Sequence, residues 1–301
     1  MTQKGVENSP VAPKNLVRVV LWMTGALVSF SAMAVSVRDL GTTLGVMEIL
    51  ALRAALGLLV MATLAGLRAE LRATINCRHI RLHLFRNTVH VGSSYLWAMS
   101  LLLIPLAMTF ALEFSTPAWT LLLASPILGE RLTASRIGAV VLGLLGVLVI
   151  LRPGLATFQP GALLALTAAF GLAVTLIATK KLTRTDSTFA ILFWMMLIQL
   201  PIALLFSEPL FVTKLTQAQA PAVIGIGVAG LVSHYCLTNA FRAGDAGVVV
   251  PLDFMRIPLI AVVGWWLYGE SLDVFVFLGA GLIVTGILWN LRSEAGRATK
   301  P

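Results

Sequence analysis

Apolar runs of roughly 17–22 residues recur along this chain from one end to the other, and the stretches between them are too short for a sizeable soluble domain. Each run is long enough to cross bilayer hydrocarbon as one helix, where backbone N–H and C=O groups must find their partners within the segment. With 58% hydrophobic and 12% charged residues, 301 residues carry more apolar surface than a single soluble core can hide. The expectation is an all-α polytopic membrane protein with ten transmembrane helices. They fall near 18–38, 45–67, 87–104, 106–127, 135–151, 160–179, 188–206, 221–241, 247–268 and 273–291. A transmembrane barrel would alternate with period two, whereas Val140 to Ile150 is apolar at every position or glycine. The polar N-terminal tail lacks a small-residue cleavage site, so the first span is read as a retained helix.

The chain also repeats itself. Ala111-Leu112-Glu113-Phe114 and Gly129-Glu130-Arg131 are echoed 140 residues later by Pro251-Leu252-Asp253-Phe254 and Gly269-Glu270-Ser271. Between 111–152 and 251–292, 10 of 42 pairs are identical without a gap. At the same offset Ser93-x-Tyr95 falls on Ser233-x-Tyr235, and Gly146 on Gly286. This divides the chain into a tail at 1–17, a first repeat at 18–151, a second at 160–291 and a tail at 292–301. Five spans per copy is odd, so the second copy enters the membrane from the other side. Inverted copies place a central cavity at their interface and can open it alternately to the two faces.

Charge orients the helices. Placing residues 1–18 and 292–301 and the loops 68–86, 130–136, 180–184 and 242–246 on one side collects 17 Lys and Arg there, against three, Arg38, Arg152 and Lys214, on the other. Basic loops remain in the cytoplasm, so both termini are expected there, in a bacterial-type inner membrane. The net charge of +9 is a topology signal that adds attraction to anionic lipid. No domain that reads nucleic acid accompanies it.

The ten-span pattern and the two Gly-Glu turns resemble the EamA-type carriers of the drug/metabolite transporter superfamily. The resemblance rests on Pro126-Ile127-Leu128-Gly129-Glu130-Arg131-Leu132, Arg136 and the glycine-rich fifth span, and on Leu267-Tyr268-Gly269-Glu270-Ser271-Leu272 with the tenth span. It covers about 20–292. The resemblance implies secondary transport of a small polar or amphiphilic metabolite, with export as the family's general habit and uptake of a riboflavin- or S-adenosylmethionine-type metabolite as the alternative. Ser271 stands where the first turn has Arg131, so a cytoplasmic role for that arginine has no outward counterpart.

Ionisable groups inside hydrocarbon cost several kcal/mol unless paired, hydrated or neutralised, which makes each a candidate for the substrate or proton pathway. Glu113 lies about seven residues from the outer end of the fourth span, Asp253 about as far from the inner end of the ninth, so the two acids are expected at separate depths. Asp253 and Arg256 share a helical face at i,i+3, either neutralising each other or offering Arg256 to an anionic cargo group and linking transport to protons. Arg53 calls for a carboxylate or carbonyl partner on another helix, lining a cavity or forming a structural pair. Glu48 reads as a hydrated interfacial acid. Tyr95, Tyr235, His234, Asn239 and Trp119 could furnish an aromatic cavity with hydrogen-bonding groups, or serve only packing. Pro117, Pro126, Pro251 and Pro258 loosen the fourth and ninth spans.

Other classes fit less well. No Gly-x4-Gly-Lys-Ser/Thr loop is present, so nucleotide hydrolysis is not expected to drive transport. A membrane-embedded transferase would gather an acid and a base at one face, yet His79 and His83 have only Glu70 near them in sequence. A channel would carry a charged ring or a filter loop. Cys77 and Cys236 have neither disulfide nor metal-ligand spacing, and no cofactor is expected. The expected partners are the metabolite, protons and membrane lipid, and nothing in the sequence selects an oligomeric state.

Overall fold

A computed structural model describes residues 13–128, 134–152, 159–182, 185–243, 252–253 and 255–298. Among these the chain is helical, without strands. In the first half, helix α1 spans Pro13–Leu40, α2 Val46–Leu67, the short α3 Ala69–Ala73, α4 Ile80–Leu103, α5 Leu106–Glu113, α6 Thr116–Leu128 and α7 Ala134–Leu151. The second half has α8 at Pro160–Leu182, α9 at Thr188–Leu205, α10 at Ala220–Ala243, α11 at Arg256–Tyr268 and α12 at Val274–Ala298, with two 3-10 turns between α9 and α10.

Among the described residues five helices are long and apolar enough to cross a membrane by themselves, those at Val17–Leu40, Val46–Leu67, Pro160–Thr179, Thr188–Leu205 and Gln217–Leu237. Three shorter apolar helices lie at Ile137–Leu151, Arg256–Tyr268 and Val274–Asn290. The fourth expected span is not one helix. It breaks between α5 and α6 at Phe114 and Ser115, because Pro117 lacks an N–H and its ring crowds the carbonyl of Glu113. That carbonyl accepts instead from the Thr116 hydroxyl at 2.6 Å, and the Leu112 carbonyl from the Ser115 hydroxyl at 2.7 Å.

The two halves interleave. Helix α1 packs along α10, α4 along α8, α2 along α9 and α7 along α12. Exchanging each helix with its counterpart in the other half turns the first pairing into the second and leaves the last two unchanged, the pattern of an approximate two-fold. Small residues permit these close approaches. A Cβ on Gly146 of α7 would lie 2.5 Å from the Gly279 carbonyl of α12, and one on Gly279 would lie 2.5 Å from the Gly146 carbonyl. The serines of the repeated Ser-x-Tyr pattern sit in such packed positions. Ser93 and Ser233 are buried and bond back to their own helices at Val89 and Gly230.

The three sparse basic residues of the expected outer side each meet a carboxylate. Arg38, at the end of α1, pairs with Glu270 and donates to the Leu101 and Ile104 carbonyls. Arg152 pairs with Asp273, and Lys214 with Glu48 and Glu208. The Glu208 carboxylate bonds the Lys214 ammonium and raises its pKa. Glu48 is therefore not a hydrated interfacial acid. It is buried, and it also accepts the Gly45 N–H at 2.8 Å, capping α2.

Candidate functional site

A cavity with about 710 Å³ of empty space, mouth included, lies where the halves meet. Its walls come from α1, α2, α4 and α5 of the first half and α8, α9 and α10 of the second. Phe30, Met33, Leu172, Met195 and Met196 make it largely apolar, while Arg53, His90, Ser94, Trp97 and Glu113 supply its polar groups. Sites for small organic molecules combine these features.

Glu113 reaches the cavity because the Pro117 break ends α5 at this residue. Its Oε2 accepts the Trp97 indole N–H at 2.7 Å, and its Oε1 lies 3.7 Å from Arg256 Nη1. Arg256 Nη2 in turn donates to Asp253 Oδ1 at 2.5 Å. One guanidinium therefore joins two carboxylates that correspond between the repeats. This corrects the expectation of separate depths: the breaks and crossing of the helices bring the two acids onto one cation, which sequence distance along each span does not reveal. Arg256 itself is buried among aromatic rings, with its guanidinium carbon 3.9 Å from the centroid of Phe30, 5.5 Å from Phe114 and 5.8 Å from Phe110.

Arg53 on α2 has partners on other helices, but neither is charged. Its Nη2 lies 3.3 Å from Gln199 Oε1 and 3.5 Å from Ser94 Oγ. Gln199 continues the network, donating toward His90 Nδ1 at 3.0 Å and Asn87 Oδ1 at 3.4 Å. Asn87 accepts from Arg86 at 2.7 Å, and Arg86 donates to Thr179 on α8. The chain of buried polar groups ends near His83 Nε2, 2.8 Å from Asp186 Oδ2. His83 thus does have an acid beside it, supplied 103 residues away by the turn before α9. Burial pushes the His83 imidazole below its ordinary pKa. Burial alone would raise Asp186, but hydrogen bonds led by that from His83 hold it below the usual carboxylate range.

Several expected residues lie elsewhere. Tyr95 lines a separate pocket with Glu48 and Lys214. Tyr235 is 62% exposed, packs edge-on to Trp22 and, through its backbone carbonyl, accepts from the Asn239 amide. Neither it nor Asn239 lines the central cavity, to which α10 contributes Gly227 and Gly230. Trp119 packs on Phe170, also outside that cavity. The side chain of His234, and Gly129, Glu130 and Arg131, lie outside the described residues. Gly269 adopts φ +64°, ending α11, and the reversal folds Glu270 back so that it accepts the Leu106 N–H at 3.0 Å as well as pairing with Arg38. A Cβ on Gly264 would fall 2.3 Å from the Glu270 carboxylate, so a side chain there would displace that carboxylate.

The comparisons with known proteins agree with this architecture. The EamA-like transporter family model matches residues 17–152 and again 159–292. This chain belongs to the EamA-like transporter family. A riboflavin transporter of Rhizobium johnstonii is 28% identical over 97% of this chain and 96% of its own. An S-adenosylmethionine uptake transporter of Rickettsia felis is 24% identical, covering 91% of this chain and 92% of its own. A pseudopaline exporter of Pseudomonas aeruginosa is 26% identical, covering 89% and 94%. A protein crystal structure superposes with a TM-score of 0.63 at 18% identity, covering 94% of this chain and 98% of that one, a likeness of fold. As an EamA-like transporter the chain is a membrane metabolite transporter of the drug/metabolite type, with the two-repeat architecture of that family.

Proposed function

We propose that this chain is a multi-pass inner-membrane secondary carrier for a small polar or amphiphilic metabolite, working by alternating access at the seam of two inverted repeats. The observation that carries the reading is the cavity walled from both halves, since a site at the interface can be exposed to either face when the halves exchange conformations. The proposal includes ten crossings, both termini in the cytoplasm and repeats at 18–151 and 160–291. The basic loops support the orientation, and the symmetric helix pairing supports the repeats.

Two carboxylates on one guanidinium suit coupling to protons. When cargo draws Arg256 from either acid, that acid loses its counter-charge and gains a reason to take up a proton. Export is the first direction, following the family's habit. Uptake of a cofactor-like heterocycle is the second, and the relatives named for riboflavin and S-adenosylmethionine uptake favour it.

Comparing metabolites inside and outside cells with and without the protein tests this. Export depletes one compound inside and enriches it outside, uptake does the reverse, and an unchanged distribution of every metabolite would overturn the carrier reading.

A further inference from the structure

Arg53 and Glu113 face the same cavity with opposite charge, yet no ion pair joins them. Glu113 is served by Trp97 and Arg256. Among the described residues Arg53 is served only by the neutral oxygens of Gln199 and Ser94, at the long distances of 3.3 and 3.5 Å and both through one nitrogen. A guanidinium has five N–H donors in a planar fork shaped for two oxygens, so most of its capacity is unspent here. An arginine held inside hydrocarbon without an anion is costly, and a protein gains from that cost when the missing anion arrives with a ligand.

The surroundings hold this cation in place. Gly230 of α10 sits against the Arg53 stem, where a Cβ would lie 3.6 Å from Cδ and 3.7 Å from Cγ. Gly227 brings α10 so near that a Cβ would lie 2.6 Å from Leu56 of α2. Gln199 is fixed from behind by His90 and Asn87 and holds Nη2, so the other guanidinium nitrogens are the ones left for a cargo oxygen. The remainder of the wall is apolar, apart from the acid on α5 and the Trp97 indole N–H that it accepts.

We infer that Arg53 is the cargo's oxyanion subsite: the transported metabolite carries a carboxylate or phosphate that seats on this guanidinium, with its donor or cationic end toward Glu113. The inference rests on the carrier reading and narrows its cargo to anionic or zwitterionic compounds. A carboxylate and a phosphate ester share the two-oxygen geometry that the fork accepts.

The test extends the metabolite comparison to cells carrying Arg53→Gln and Arg53→Lys, followed by uptake or efflux kinetics of whichever compound the wild-type protein shifts. The expected result is a compound bearing a carboxylate or phosphate whose redistribution is lost in Arg53→Gln. Arg53→Lys keeps the charge without the fork and is expected to raise the half-saturation concentration about tenfold, with the maximal rate kept. A shifted compound without an oxyanion, or one that Arg53→Gln moves as the wild type does, would overturn the inference and leave the carrier reading standing. If Arg53→Gln does not reach the membrane, an unchanged half-saturation in Arg53→Lys overturns it. A wild-type protein that shifts nothing removes the carrier reading and this inference together.

Discussion

Glu113 and Asp253, acids at corresponding positions of the two repeats, meet on the same guanidinium, that of Arg256. The arrangement sits beside the seam cavity and carries one formal negative charge in excess, with the cation wedged between Phe30, Phe110 and Phe114. Removing the cation and removing an acid therefore have unequal consequences.

Arg256→Gln strands two carboxylates and is expected to destabilise the protein by about 3 kcal/mol, whereas Asp253→Asn leaves the Arg256–Glu113 pair and costs less. Thermal melts of the purified variants check the order. Adding Asp253→Asn and Glu113→Gln to Arg256→Gln is expected to recover much of the loss, as no unpaired charge then remains.

Glu270 ties α1, α11 and the start of α5 together at one end of the molecule. Glu270→Gln and Gly264→Ala are expected to loosen the same latch, the first by removing the charge and the second by occupying its space. Both should raise the rate at which a membrane-impermeant thiol reagent modifies a cysteine placed at Met108, which lines the adjoining pocket. Equal rates in the variants and the parent would remove the latch from the account.

Acid is expected to destabilise the fold at the buried His83–Asp186 pair. His83 in the fold holds its proton less tightly than its ordinary 6.5, so below that pH the unfolded chain binds the proton first and stability falls. Asp186 is also depressed, from its ordinary 3.8, and its contribution is present above that value and lost as pH falls further, through its lower folded pKa. Melting temperature should therefore decline from pH 7.5 toward pH 4. The double variant His83→Gln with Asp186→Asn should show a shallower decline.

Gly146→Val is expected to separate α7 from α12, since even a Cβ would meet the Gly279 carbonyl and Ile283 at 2.5 and 2.6 Å. A cost of about 2 kcal/mol follows from such overpacking. A melting temperature equal to that of the parent would contradict the close approach.

What sequence could convey here follows from locality. The pair of Asp253 and Arg256 was legible from their spacing, and the structure joins the two side chains, although Asp253 precedes the start of α11. Glycines recur along α7 and α12, but that Gly146 and Gly279 meet follows from how the two helices pack and not from either segment alone. Nor was it legible that Glu113 joins Asp253 and Arg256, because that depends on a break at Pro117 and on the register of one helix against another. His83 with Asp186 and Glu48 with Lys214 are separated by 103 and 166 residues, and no local pattern announces such contacts. Gln199, His90 and Ser94 do not stand out in the sequence because single polar residues in apolar helices are commonplace, and only the network they form around Arg53 distinguishes them.

Access to Ser94, on the cavity wall, tests the central claim most directly. In a chain with Cys77 and Cys236 replaced by serine, Ser94→Cys would be exposed to a membrane-impermeant thiol reagent in right-side-out vesicles and, separately, in inside-out vesicles. A seam cavity that opens alternately predicts labelling in both preparations, slowed in each by the cargo. Labelling from one side alone, or from neither, would contradict it.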